Sequence, residues 1–391
     1  MKNPTPRSPS GLTPTNPNRR QGVLATVHLD LPLLTGLLLL CGYGLVVLYS
    51  ASGENMAVVL AQAKSLVIAL TVMVAVAQVP PSTLQRWSPW FYAVGVALLV
   101  AVLLFGDESK GARRWLEIDL GVRSFRFQPS ELMKTAIAMM TAWYLAERRL
   151  PPSPRGLAVA LLIVVVPVVL IVVEPDLGTS ILVASGGLFV VFLAGLSWRL
   201  IVALGGLGGL ALVIVGLFPS LLDYVLRDYQ KRRVLTFLNP ENDPLGAGYH
   251  IIQSKIAIGS GGIYGKGWLN GTQSQLDFLP ERHTDFIFAV LSEEFGLAGA
   301  LLLLALYLFV ILRGLFIASQ AQGNYARLLA GAVVLVFFVY LFVNTGMVTG
   351  LLPVVGVPLP LVSYGGTSLV TLLAGFGILM SVHTHRKLLP T

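Results

Sequence analysis

Charge is what this sequence has least of. Only 12% of its 391 residues are Asp, Glu, Lys or Arg, about half the share usual in soluble domains, and that deficit excludes a water-soluble globular protein. Cysteine is almost missing. Cys41 stands alone in an apolar run, so there is no disulfide framework and no thiolate metal site, and a small packing role accounts for it. The five histidines, His28, His250, His283, His383 and His385, show no ligand spacing with acids or with Cys41, which argues against zinc. No basic stripe with interleaved aromatics occurs on a soluble module, so the net charge of +8 does not signal nucleic acid. Basic side chains beside membranes answer instead to anionic lipids and to orientation during insertion.

What is abundant is hydrocarbon. A hydrophobic share of 55% and a mean hydropathy of +0.77 predict an all-α, polytopic membrane protein. Apolar runs of about 18 to 25 residues are long enough to cross a bilayer as helices, and about ten are present. They are Leu31–Ser50, Ala57–Val79, Trp90–Phe105, Pro129–Ala146, Leu157–Val173, Thr179–Leu196, Leu200–Phe218, Phe286–Leu312, Leu328–Val348 and Gly366–Val382. The fourth is the least apolar, because Glu131 and Lys134 lie within it. Residues 1–26, rich in Pro, Ser, Asn and Arg, read as a disordered cytoplasmic tail, and residues 27–391 as the transmembrane domain. The run after Asp30 has the length of a span and no cleavage site after it, so it is not a signal peptide.

An even number of spans places both termini on one side. Lys2, Arg7, Arg19, Arg20, Arg86, Arg148, Arg149, Arg155, Arg199, Arg313, Arg327, Arg386 and Lys387 fall in the tails and alternate loops, with Glu147 the one acid among them. That excess marks the cytoplasmic side. Two long loops then lie outside, Gly106–Gln128 and, between the seventh and eighth spans, residues 219–284. Long loops are exempt from the insertion rule, yet these carry Lys110, Arg113, Arg114, Arg123, Arg126, Arg227, Lys231, Arg232, Arg233, Lys255, Lys266 and Arg282. Either these pair with nearby acids such as Asp107, Glu117 and Asp223, or they serve an anionic ligand, a phosphate-bearing lipid head group being the best fit.

The densest polar stretch is Phe278–Phe288, which leads without a break into the eighth span. A carboxylate at Asp285 would feel the helix dipole, which lowers its pKa, and partial burial, which raises it, so a poised base is one outcome. A capping acid after Thr284 is the other. Glu293 lies on the same helical face but about 12 Å away by helix rise, too far to share a proton. Glu293 and Glu294 are expected to be structural, bonded to other spans. His283 would either orient a substrate or simply be solvated. Glu131 and Lys134, three apart on one face, either line a polar cavity or form a structural pair, and Lys64 carries the same ambiguity. The segment Gly259–Gly267 fails the nucleotide-loop patterns, since Gly267 follows Lys266 where Ser or Thr is needed, and a plain turn is the simpler reading than a cradle for pyrophosphate.

Several long motifs in order resemble the SEDS family (shape, elongation, division and sporulation). They are Arg113-Arg114-Trp115, Phe127–Lys134, Glu174–Thr179, Asn239–Tyr249, Gln253-Ser254, Phe278–Phe288 and Pro358–Ser368. The wording of Leu276–Asp285 is closer to the elongation member than to the division member. The resemblance implies a peptidoglycan glycosyltransferase that polymerises lipid II at the outer face of the bacterial cytoplasmic (inner) membrane. Implied partners are a class B penicillin-binding protein and other membrane proteins of the elongation complex. The family's catalytic acid falls on Asp285, and Arg113, Arg114, Glu131 and Lys134 match polar positions of its central cavity. Lys255, Arg282 and His283 are the further candidates for binding the substrate. The chemistry needs a base for the acceptor's 4-hydroxyl and cations for the departing diphosphate, with room for a loosely held divalent cation, Mg2+ or Mn2+. A lipid II flippase and a non-catalytic scaffold for the penicillin-binding protein are the competing readings.

Overall fold

The computed structural model describes residues 28–109, 112–119, 124–196, 246–276, 278–279 and 281–386, with scattered positions between 199 and 236. The 1–26 tail, most of the expected seventh span Leu200–Phe218, and Lys110, Arg123, Arg227, Lys231, Arg232 and Arg233 lie outside the described residues.

Helices dominate. They are α1 (Leu31–Ala51), α2 (Met56–Ala77), α3 (Pro81–Phe105), α4 (Pro129–Ala146), α5 (Pro154–Val173), α6 (Leu177–Leu193), α7 (Ala247–Ser260), the single turn α8 (Thr272–Gln275), α9 (Ile287–Ser319), α10 (Asn324–Val348) and α11 (Gly366–Thr384). Among the described residues seven of these, α1, α2, α3, α5, α9, α10 and α11, are long and apolar enough to cross a membrane. The shorter α6 and the charge-bearing α4 complete the described bundle. Their order agrees with the expected spans. Local chemistry starts several of them: Asp30 accepts from Leu33 N at 2.9 Å, Asn55 from Ala57 N at 3.0 Å, Ser153 from Gly156 N at 3.2 Å and Asp176 from Thr179 N at 3.2 Å, each satisfying an orphan N–H of a first turn. The α3 helix begins nine residues before the expected Trp90, because Pro81 suits a first turn and Pro89 is carried inside the helix.

Outward-facing side chains such as Leu39, Val67 and Leu162 are exposed leucines and valines, the surface that hydrocarbon requires. A large apolar core joins α1, α2, α9, α10 and α11, and a second joins α4, α5, α6 and α10. The outer loop after α3 is not irregular. It folds as a small antiparallel sheet of order β1-β2-β3, from Asp107–Ser109, Ala112–Asp119 and Ser124–Phe127, an element that hydropathy did not reveal.

The eighth span differs most from expectation. At 33 residues, α9 unbroken would run about 50 Å against a hydrocarbon core of about 30 Å. It breaks at Gly296, whose φ of 63° and ψ of −160° are not helical. The Gly259–Gly267 segment closes the break. Lys266 N and Gly267 N donate to Glu293 O and Glu294 O, and Leu297 N and Ala298 N donate to Gly262 O and Ile263 O, each at 3.0 Å. The loop's backbone is therefore spent on the helix, as a plain turn and not as a phosphate cradle. Below the break α9 runs antiparallel to α1, with Arg313 meeting Asp30 at 2.6 Å and Tyr43 donating to Gly299 O at 3.3 Å, and just above the break Ser50 donates to Glu294. Glu294 is thus level with the outer end of α1 rather than deep in lipid. Glu293 bonds to the loop instead of to another span, accepting from Lys266 Nζ at 2.7 Å, Thr272 Oγ1 at 3.0 Å and Gln273 N at 3.0 Å.

A Cβ at residue 296 would come within 2.3 Å of Gly265 N and 2.6 Å of Ile263 O, in a backbone region open essentially to glycine alone. Gly296→Ala is expected to cost at least about 3 kcal/mol and to release the loop. A fall in thermal midpoint in detergent, with new proteolytic cleavage within residues 261–272, checks this.

Candidate active site

The outer ends of α4, α6 and α11 converge on a cavity of about 200 Å3, lined among others by Arg114, Trp115, Gln128, Glu131, Lys134, Asp176, Thr179, Thr367 and Ser368. Each wall has a local cause. Strand β2 carries Arg114 and Trp115 over the opening, and the turn between α5 and α6 places Asp176 so that it both caps α6 and faces the hollow. Proline at the start of α4 puts Glu131 in its first turn, with Lys134 one turn below.

The charges in the cavity are paired. Lys134 Nζ lies 2.6 Å from Glu131 Oε1 and 5.1 Å from the centroid of the Tyr340 ring, and Thr371 Oγ1 donates to Glu131 Oε2 at 2.9 Å. Lys134 and Glu131 are 8% and 6% exposed, so the pair joins α4, α10 and α11 at the floor of the cavity, and both sequence alternatives hold at once. Below Lys134 lies a smaller chamber of about 40 Å3, with walls that include Ala138, Val333, Val336, Leu372 and Gly375. Arg114 donates to Pro175 O at 2.5 Å, and its Nε stands 3.9 Å from Asp176 Oδ2. Asp176 also accepts from Gln128 Nε2 and Thr179 Oγ1, each at 3.0 Å.

Asp285 stands beside this cavity, behind Gly356. A Cβ at Gly356, one of the lining residues, would lie 3.4 Å from Asp285 Oδ2. Asp285 is half-buried in the 281–286 turn. The N-cap of α9 is Phe286, with no side-chain cap bond, so Asp285 is not the capping residue. Its main-chain carbonyl accepts from Asn344 Nδ2 at 2.8 Å.

The remaining candidates with described side chains are not brought to the cavity. Lys255 is exposed on α7 and lies over Gly350, where a Cβ would be 2.7 Å from its Nζ. Arg282 reaches the turn after α1, where a Cβ at Gly53 would lie 3.2 Å from its guanidinium. The His283 ring meets Tyr364 edge-on at 6.0 Å. Lys64 is exposed on α2 and lines no interior. Arg113 is opposite Glu108 in the β1–β2 register, and its side chain lies outside the described residues. Sequence reasoning named neither Gln128, Asp176 and Thr179 nor Thr367, Ser368 and Thr371 as site residues. Their signal was available: each is a polar residue at or just inside the outer end of an apolar helix, where lipid would otherwise make it costly.

Glu174, next to Asp176, is 2% exposed with Oε1 unpaired by any hydrogen bond. Burial, reinforced by Asp176 and opposed by Arg114, pushes its carboxyl up to about 8.

The fold and site define a class: a polytopic membrane protein with a charge-lined polar cavity at the expected outer end of its bundle and a carboxylate beside it. The family of cell cycle proteins comprising FtsW, RodA and SpoVE matches residues 31–388, and the chain belongs to it. The chain is 55% identical over 375 residues to the peptidoglycan glycosyltransferase MrdB of Escherichia coli K12, covering 96% of this chain and 98% of that one. It is 33% identical to the peptidoglycan glycosyltransferase RodA of Treponema pallidum, covering 91% and 98%. Among solved structures, a chain of a peptidoglycan synthase complex that coordinates polymerization and crosslinking superposes with a TM-score of 0.76 at 34% identity, over 92% of this chain and 99% of that one. The rod shape determining protein RodA of Thermus thermophilus superposes at 0.67 with 29% identity, over 92% and 98%.

Because Glu174 holds its proton more tightly in the folded chain, its contribution to stability is present below about pH 4.5 and is lost as pH rises through about 8. Glu174→Gln is expected to leave the thermal midpoint unchanged at the acid end of that window and to raise it above the native protein's at the alkaline end. Melting curves in detergent across the window check both the sign and the range.

Proposed function

We infer that this chain is a peptidoglycan glycosyltransferase of the bacterial cytoplasmic membrane that polymerises lipid II into glycan strands during cell elongation. The observation that carries the mechanism is the Asp285 carboxylate behind Gly356 at a cavity holding Arg114 and Lys134. Near-full-length identity to a peptidoglycan glycosyltransferase supports the reaction class.

In this reading Asp285 is the general base. It removes the proton from the acceptor's 4-hydroxyl as that oxygen bonds to the donor's anomeric carbon, and the bond from that carbon to the diphosphate breaks. The undecaprenyl diphosphate leaves with the bonding electron pair. Arg114 and Lys134 are the cations on hand for its negative charge, each leaving a carboxylate partner to meet it. The apolar spans hold the lipid tails. A divalent cation, Mg2+ or Mn2+, would supply further charge at the diphosphate. Among the described residues no three His, Cys, Asp or Glu side chains converge on one point, so these residues build no protein-only cage, and such an ion would draw its ligands largely from diphosphate and water. A class B penicillin-binding protein is the proposed partner, supported by the likeness to the synthase complex, with other membrane proteins of the elongation complex beyond it.

The test is the purified full chain with its penicillin-binding partner, given lipid II in detergent. Asp285→Asn is expected to lower glycan polymerisation by at least about 100-fold while partner binding and the melting curve stay as in the native protein. Polymer persisting in the variant overturns the site, and lipid II crossing vesicle bilayers without polymer forming would favour a flippase.

A further inference from the structure

The 281–286 turn that carries Asp285 is held by its carbonyls. Three in succession accept hydrogen bonds from outside the turn: His283 O from Tyr364 N at 2.9 Å, Thr284 O from Ser363 Oγ at 2.5 Å, and Asp285 O from Asn344 Nδ2 at 2.8 Å. The segment supplying the first two is itself anchored. Ser363 Oγ accepts from Leu359 N at 2.8 Å, and Gln62 of α2 grips the strap on both sides, donating to Ser363 O and accepting from Gly365 N, each at 3.2 Å.

Asn344 is the exceptional member. It is 0% exposed within the apolar α10, where an amide is costly unless its bonds are met. Neither of its N–H groups serves its own helix. One goes to Asp285 O and the other to Val357 O, each at 2.8 Å. Both partners are carbonyls, so chemistry alone puts the nitrogen there and not the oxygen. Its Oδ1 accepts no hydrogen bond from the described residues, so the two donor bonds are what the side chain contributes here. Val357 directly follows Gly356, the cavity residue in front of the Asp285 carboxylate. One side chain therefore fixes the distance between the main chain of the base and the wall through which that base must act.

We propose that Asn344 is a positioning residue for glycosyl transfer: its amide ties Asp285 to Val357 and so sets the reach of the carboxylate past Gly356. The proposal rests on Asp285 being the base. Loss of the tether leaves the cavity cations in place, so it acts on the chemical step and not on binding of the diphosphate.

The experiment uses the full chain with its penicillin-binding partner and lipid II in detergent. Asn344→Leu, close in volume but without donors, is expected to lower kcat about 100-fold through sub-ångström to ångström misplacement, with KM changed by less than about 3-fold. The diagnostic readout is coupling. In the native background Asp285→Glu puts the carboxylate out of register, whereas in Asn344→Leu that register is already lost, so the Asp285→Glu penalty is expected to shrink at least about tenfold. A kcat that falls only in step with the folded fraction, together with an unchanged Asp285→Glu penalty, makes Asn344 merely structural and overturns the proposal. If Asn344→Leu gives no folded protein, Ser363→Ala, which removes the donor to Thr284 O and spares α10, is read by the same coupling. Activity persisting in Asp285→Asn overturns both readings, while loss there with no coupling overturns this one alone.

Discussion

Within hydrocarbon every backbone N–H and C=O has to find a partner inside the protein, and a spanning helix can be interrupted only where something else supplies the missing bonds. The break at Gly296 is the point where this chain meets that demand. Four main-chain bonds from residues 262–267 replace those the helix gives up, and Lys266 binds the Glu293 carboxylate of the segment above the break. The outer part of α9 is thereby freed from the direction of the span. It can deliver the 281–286 turn to the end of the bundle instead of carrying it on along the membrane normal.

The same economy governs the buried charges. Removing one partner of a buried ion pair leaves an uncompensated charge, and two of the pairs found here also tie helices together: Arg313 to Asp30 directly, and Glu131–Lys134 through Thr371 and Tyr340. Asp30 caps α1 and receives both Arg313 of α9 and His383 of α11. For this Asp, burial works to raise the pKa, but the bonds from Arg313 and Leu33 prevail and the carboxyl lies below its ordinary range. Glu131 and Lys134 do at the floor of the outer cavity what Asp30 and Arg313 do at the other end. They also line the outer cavity below Arg114, so in the proposed function packing and substrate binding would draw on the same side chains.

A lone carboxylate is only as well placed as its main chain, and the 281–286 turn buries only Phe286 among its six residues. The Pro358–Ser368 stretch provides that support. Its apolar residues Leu359, Leu361 and Val362 are buried in the main core, while its polar atoms reach the carbonyls of residues 283 and 284. A rigid bundle thus positions the turn, as the proposed general-base role of Asp285 would require.

Hydropathy was sufficient for the order of the described spans, because a bilayer asks length and apolarity of a helix that crosses it. Loop charge gave the expected sidedness, and an acid between a polar loop and an apolar run marked Asp285 as a candidate. Those signals are local in the chain. The β-sheet after α3 and the break in α9 were not legible, since φ at Gly296 depends on a loop some thirty residues earlier in the chain that fits only there. Nor could the sequence tell which outer cations share a site: Arg114 and Lys134 come together because α4, α6 and β2 converge, while Lys255 and Arg282, equally basic and equally exterior, are carried to other corners. Composition determined that this protein lives in a membrane and carries an acid at its edge. Only the packing of distant segments decided which groups face that acid, because a hydrogen bond such as that from Asn344 to Asp285 is fixed by three-dimensional approach and leaves no period or spacing in the chain.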